Sequence, residues 1–191
     1  PDSFIHLAEQ SGLIHPLTRQ VFELSLAWFA QKFRDTDTKL ALNISPLVLV
    51  DDTFPGWILS LCEQHEISPQ QIILEITETS TMESEIRMLE FTTQFRIRGF
   101  HVALDDFGVG YSSLVELARL PFSELKIDKM FVMTAANSIE SQKISAAIIS
   151  LGHALNLQVT AEGVEDEWTL RFLRDLNCDY AQGYYFSRPL A

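Results

Sequence analysis

The sequence predicts an α/β fold: a βα (TIM-type) barrel, incomplete at its N-terminus, with about six βα units present. Three observations carry that expectation. Short apolar runs alternate with longer amphipathic stretches along all 191 residues, the pattern of parallel strands covered by helices. The connections between them are short. A polar residue also stands at or near the end of each apolar run: Asn43, Glu75, Asp105, Lys126, Glu162 and Gln182. An open doubly wound sheet shares the alternation but would spread these residues along a line. A barrel gathers its strand ends at one mouth, where active sites sit. Such barrels have eight strands and about 250 residues. About two βα units are therefore expected to precede residue 1, with residues 1–191 forming one truncated barrel domain.

Taken in order, residues 1–33 read as two helices separated at Gly12. Phe4, Ile5, Leu7 and Ala8 supply the apolar face of the first. Leu17, Val21, Leu24 and Trp28 form a stripe on the second, widened by Phe22, Phe29 and Phe33. Leu40 to Ser45 reads as a strand halted by Pro46. A helix through Trp57, Ile58, Leu61 and Cys62 follows, then a Ser68-Pro69 turn and a strand from Ile72 to Glu78. A helix around Ile86, Leu89, Phe91 and Phe95 stops at Gly99. The strand Val102 to Asp106 leads to a helix from Ser112 to about Leu120, and Leu125 to Asp128 is the next strand. A helix from about Ser138 to Leu155 presents Ile144, Ala147, Ile148 and Leu151. Then come a strand from Gln158, a helix from Trp168 to Leu176, and a last strand from Tyr180.

Composition is ordinary for a globular domain, with 47% hydrophobic and 21% charged residues. No apolar run approaches the roughly 18 residues of a membrane span. The formal net charge of −12 argues against a nucleic-acid duplex as partner, but not against a phosphate ligand that meets the protein through a metal. Cys62 and Cys178 lie far apart without metal-ligand spacing, as expected of reduced thiols in a cytoplasmic protein.

Two adjacent carboxylates, Asp105 and Asp106, close an apolar strand, an expensive placement unless a cation neutralises them. Asn43, Glu75, Asp105 and Asp106 together offer the hard oxygen donors that Mg²⁺ or Mn²⁺ prefers, without a His or Cys to favour zinc. Lys126 and Glu162 suit the orientation of an attacking water and the stabilisation of charge on phosphoryl oxygens. Singly, each has a plainer reading: Asp106 as a helix cap, Asn43 as a turn residue, Lys126 reaching out to water, Glu162 as a loop acid, Gln182 as a core amide. The joint pattern is what points to chemistry.

The same residues carry a resemblance. Leu74-Glu75-Ile76-Thr77-Glu78, Asp105-Asp106-Phe107-Gly108 with Gly110-Tyr111-Ser112-Ser113, Leu125-Lys126-Ile127-Asp128, Ala161-Glu162-Gly163-Val164-Glu165 and Gln182-Gly183-Tyr184 occur in that order. Phe4-Ile5, Ala8-Glu9, Gly12-Leu13-Ile14 and Asn43-Ile44-Ser45 fit as well. Together they resemble the EAL-domain family of bacterial cyclic di-GMP phosphodiesterases. The resemblance implies hydrolysis of cyclic di-GMP to linear pGpG with two Mg²⁺ or Mn²⁺ ions. It implies that Asn43, Glu75 and Asp105 bind the first ion and that Asp105, Asp106 and Glu162 bind the second. Lys126 would hold the attacking water, and Gln182, Glu165 and Asp128 would face substrate. Glu78 would order the loop after the paired aspartates. It further implies a homodimer formed beside that loop, a cytoplasmic domain, and a parent chain with a regulatory or sensory domain and, in some members, an inner-membrane anchor.

Two departures stand out. The Glu-Ala-Leu strand that names the family is absent from this sequence, so the segment alone is expected to lack one metal-ligand glutamate and to be inactive. Val109 stands where the family loop usually carries Thr. The alternative is a catalytically inactive module of the same fold that binds cyclic di-GMP or a protein; a metallohydrolase for another phosphodiester needs the motif order to be coincidence.

Overall fold

The computed structural model describes residues 2–77, 85–109 and 114–189. Helices α1 (Asp2–Gln10) and α2 (Ile14–Phe33) precede strand β1 (Leu40–Asn43). Then follow α3 (Phe54–Gln64), β2 (Ile72–Thr77), α4 (Glu85–Ile97), β3 (His101–Phe107), α5 (Leu114–Arg119) and β4 (Glu124–Ile127). The chain continues with α6 (Lys129–Thr134), α7 (Ile139–Ala154), β5 (Gln158–Ala161), α8 (Glu167–Asp175) and β6 (Tyr180–Ala181). The expected strand–helix alternation is thus present. No helix among the described residues is long and apolar enough to cross a membrane. The chain divides into two units, Pro1–Ile76 with Ser80–Val102 and Thr77–Thr79 with Ala103–Ala191.

In the first unit β1 and β2 pair in parallel, in register from Leu40↔Ile72 to Asn43↔Glu75. Helices cover them through a run of aromatic rings. Phe22 meets Phe54 edge-on at 5.5 Å, Phe54 meets Phe95 at 6.3 Å, and Phe95 meets Phe100 at 5.4 Å, spacings at which aromatic edges and faces attract. This ring core corrects the helix face expected for α2. The buried positions are Ile14, Thr18, Phe22, Leu26 and Phe29, whereas Leu24 is 65% and Trp28 48% exposed. Both sets have helical spacing; the one with the deeper ring contacts turned inward. The expected faces of α1 and α4 hold in part: Ala8, Phe91 and Phe95 are buried as expected, whereas Phe4, Leu7, Ile86 and Leu89 are exposed and Met88 is buried in addition.

A buried amide closes the end of α2. Gln71 Nε2 donates to the carbonyls of Phe33 (3.3 Å) and Arg34 (3.2 Å), at the end of the helix where carbonyls lack intrahelical partners, and of Thr36 (2.9 Å) in the turn that follows. Its Oε1 in turn accepts from Ser68 N at 3.3 Å, completing a capping box on the 3₁₀ turn Pro69–Gln71. Gln71→Ala removes this donor from the part-buried carbonyls of Arg34 and Thr36, while Phe33 O keeps Thr36 N, and is expected to cost about 2 kcal/mol in urea unfolding. A loss below about 0.5 kcal/mol would show that water replaces the amide freely.

In the second unit β3, β4, β5 and β6 pair in parallel, each with the next. Helix α7 lies close on this sheet because its facing residues are small. Ser141, Ser145 and Gly152 are buried along with Ile148 and Ile149, and a Cβ at Gly152 would fall 2.4 Å from Val159 Cγ2. Of the face expected for α7, Ile148 is buried whereas Ala147 is exposed. Helix α6 was not expected from the sequence. Asp128 caps it by accepting from Met130 N at 2.7 Å.

Candidate active site: an acidic cluster around a buried lysine

The paired aspartates sit on an irregularity in β3. Leu104 pairs with Leu125 and Phe107 with Ile127, so three residue steps on β3 oppose two on β4. The extra residue is a β-bulge, the device that re-aims a side chain beside a site. Asp106 absorbs it with φ of 55°, a left-handed conformation that Asp tolerates better than most residues. In a regular strand neighbours point to opposite faces. Here Asp105, Asp106 and Glu162 each offer a carboxylate oxygen, and these oxygens lie within 4.8 Å of one another.

Lys126 stands among them on β4. Its side chain is 4% exposed, and Nζ lies 2.9 Å from Asp105 Oδ1 and 2.7 Å from Glu162 Oε1. Charge-assisted bonds of this length are strong, and they give the buried ammonium counter-charges it needs. Asp105 Oδ1 also accepts from Asp106 N at 3.1 Å. Deeper in the same unit, Thr160 Oγ1 donates to Glu124 Oε1 at 2.5 Å, with both residues buried. Thr160 is the register partner of Lys126, and Glu124 lies two positions before Lys126 on β4, hence on the same face. The sequence reading missed Glu124; the signal was its position two residues before Lys126 in an alternating strand.

The carboxyl of Asp106 is pushed up to about 6 by burial first, then by the charge of Asp105, a hydrogen bond with Asp128 and the charges of Asp128 and Glu162. This pKa lies above the ordinary 3.8, so the metal-free protein is relatively more stable on the acid side. As pH rises from about 4 to about 6 the unfolded chain releases this proton while the folded chain retains it. Stability is expected to fall across that window and level off above it. Urea midpoints measured in chelator should show the decline, and Asp106→Asn should flatten it. An unchanged slope in that variant would assign the effect elsewhere.

The other expected site residues are placed as follows. Asn43 and Glu75 are register partners at the end of β1 and β2; Glu75 is buried and Asn43 exposed. Gln182 and Glu165 are exposed, on the segments after β6 and β5. Those segments are joined by Val164 N donating to Gln182 O at 3.0 Å. Asp128 is buried between its capping bond and Asp106. Glu78 and the Gly110 to Ser113 stretch lie outside the described residues.

The donor set fits a hard divalent cation. The cluster is all carboxylate oxygen, and cation–oxygen bonds of about 2.0–2.6 Å can span it. Asp105, Asp106 and Glu162 would hold such an ion.

The EAL domain family profile matches residues 1–189. The cyclic di-GMP phosphodiesterase PdeR of Escherichia coli is 38% identical over 192 residues, covering 100% of this chain and 29% of the relative. MucR of Pseudomonas aeruginosa, a bifunctional diguanylate cyclase/cyclic di-GMP phosphodiesterase, is 36% identical, covering 100% of this chain and 28% of the relative. The chain thus spans under a third of these curated relatives. A solved PaMucR phosphodiesterase in complex with c-di-GMP superposes with a TM-score of 0.91 at 36% identity, over 100% of this chain and 78% of that one. The fold is accordingly that of a partial βα barrel of six parallel strands, and the chain belongs to the EAL domain family.

Proposed function

We propose that this domain serves in a metal-dependent phosphodiesterase that hydrolyses cyclic di-GMP to linear pGpG. The observation that carries the reading is Lys126, buried between Asp105 and Glu162 at 2.9 and 2.7 Å with Asp106 in the same oxygen cluster. Asp105, Asp106 and Glu162, with Asn43 and Glu75, act as ligands for two Mg²⁺ or Mn²⁺ ions. When bound, such ions supply positive charge to the phosphoryl oxygens and make water more acidic. Lys126 holds the attacking water by hydrogen bond, its own direction set by Asp105 and Glu162. The water oxygen bonds to phosphorus and gives up one proton to solvent, the bond from phosphorus to the ribose 3′ oxygen breaks with its electron pair on that oxygen, and the 3′ oxygen takes up a proton from solvent, so that one water is added in all. Gln182, Glu165 and Asp128 face the nucleotide, and Glu78 orders the loop behind the aspartates. The domain works in the cytoplasm as a homodimer within a chain that carries a regulatory or sensory domain.

The test is incubation of the full-length protein with cyclic di-GMP and Mg²⁺ or Mn²⁺, followed by chromatography. Formation of pGpG that stops on chelation is the expected result. Tight binding of cyclic di-GMP without turnover would instead mark a binding module of the same fold.

A further inference from the structure

The Ala8-Glu9 pair takes no part in the chemistry above, yet Glu9 has a specific partner. Ser45 Oγ donates to Glu9 Oε1 at 2.8 Å, a contact that spans 36 residues of sequence. Glu9 ends the apolar part of α1 with its side chain 24% exposed; His6 Nδ1 lies 3.4 Å from Oε2 on a side chain 81% exposed, where a partner adds little. Ser45 is the second residue after Asn43. Its hydroxyl also accepts from Leu47 N at 3.3 Å, capping the 3₁₀ turn Pro46–Val50. Between them, Ile44 N donates to Glu75 O at 2.9 Å. The chain leaving β1 is therefore held by β2 on one side and by Glu9 on the other. Asn43 is exposed at the end of a four-residue strand, so its direction follows the backbone that carries it.

We propose that Glu9 is a positioning residue that acts through Ser45 to fix the turn after β1, and with it the side-chain oxygen of Asn43 as a cation ligand. This rests on the reading of Asn43 as such a ligand. A ligand on a turn without this tether loses conformational freedom only when the cation binds, which weakens binding; groups that orient metal ligands typically contribute 10–100-fold in affinity.

The test measures Mn²⁺ affinity by calorimetry on the full-length protein, with thermal unfolding recorded for each variant. Glu9→Ala and Ser45→Ala are each expected to weaken binding about 10-fold. Glu9→Gln, whose amide oxygen can accept the same hydrogen bond, should stay within about 2-fold of the parent. In an Asn43→Ala background, Glu9→Ala should add nothing, since both act through one group. Effects that multiply in the double variant overturn the proposal, as does a loss in Glu9→Ala that Ser45→Ala does not reproduce. If Asn43→Ala weakens binding and Glu9→Ala does not, the positioning role alone fails. If Asn43→Ala has no effect, the ligand assignment fails and the positioning role with it.

Discussion

Lys126→Met is expected to reduce cyclic di-GMP turnover by about 10²–10³-fold, the usual loss when one preorganised donor is taken from a developing charge. The same change should destabilise the metal-free protein by about 3 kcal/mol, because removing one partner of a buried ion pair strands the others. Asp105 and Glu162 would be left in one pocket without the ammonium that lies 2.9 and 2.7 Å from them. The two effects separate with metal. A divalent cation restores counter-charge to the carboxylates but not the hydrogen bond to water. Mn²⁺ should therefore recover much of the lost stability in urea unfolding while turnover stays low. If Mn²⁺ restored turnover to parental levels, Lys126 would be a structural counter-ion and not part of the chemistry. If neither stability nor turnover moved, the buried pair would carry no weight in either.

How far the site was legible follows from the same residues. An acid or lysine at the end of an apolar run stands out because burial makes it costly, and Asp105, Lys126 and Glu162 were all visible on that ground. What brings them together was not. The bulge that turns Asp105 and Asp106 toward one cluster depends on the pairing of β3 with β4, and no local pattern in β3 reports its partner's register. Strand positions were legible to within a few residues, because apolar runs bounded by turn residues have few alternatives. Helix faces were less so. Periodicity finds an apolar stripe, but α2 has two, and the choice between Trp28 and Phe22 is made by rings from other helices. Helix α6 escaped notice because it is only six residues long, under two turns, and its cap, Asp128, was already accounted for as the end of a strand motif. The ties made by Gln71 and Glu9 leave no local signal, since each reaches backbone or a side chain more than thirty positions away.

Gly183→Ala should be among the most damaging changes to the fold near the site, with an expected cost of about 3 kcal/mol. A Cβ there would lie 2.2 Å from Val164 O, 2.3 Å from Val164 N and 2.7 Å from Val164 C. These are backbone atoms, with no flexible side chain to swing aside. Neither strand end can retreat cheaply, because Val164 N donates to Gln182 O at 3.0 Å and Tyr185 N donates to Val164 O at 2.9 Å. Relief requires breaking those bonds, which also hold the segment that presents Gln182. The consequence should be local before it is global. Amide exchange at Val164 and Tyr185 should accelerate well beyond the change seen in α2 and α3, since opening free energies differ between cooperative segments. Gly99→Ala is the useful contrast. Its Cβ would have ordinary contact with Pro69 Cβ at 3.7 Å, leaving only the strain of φ +92°, about 1–2 kcal/mol. Were Gly183→Ala the milder of the two, the close approach of β6 to the β5 turn would not be what holds Gln182 in place.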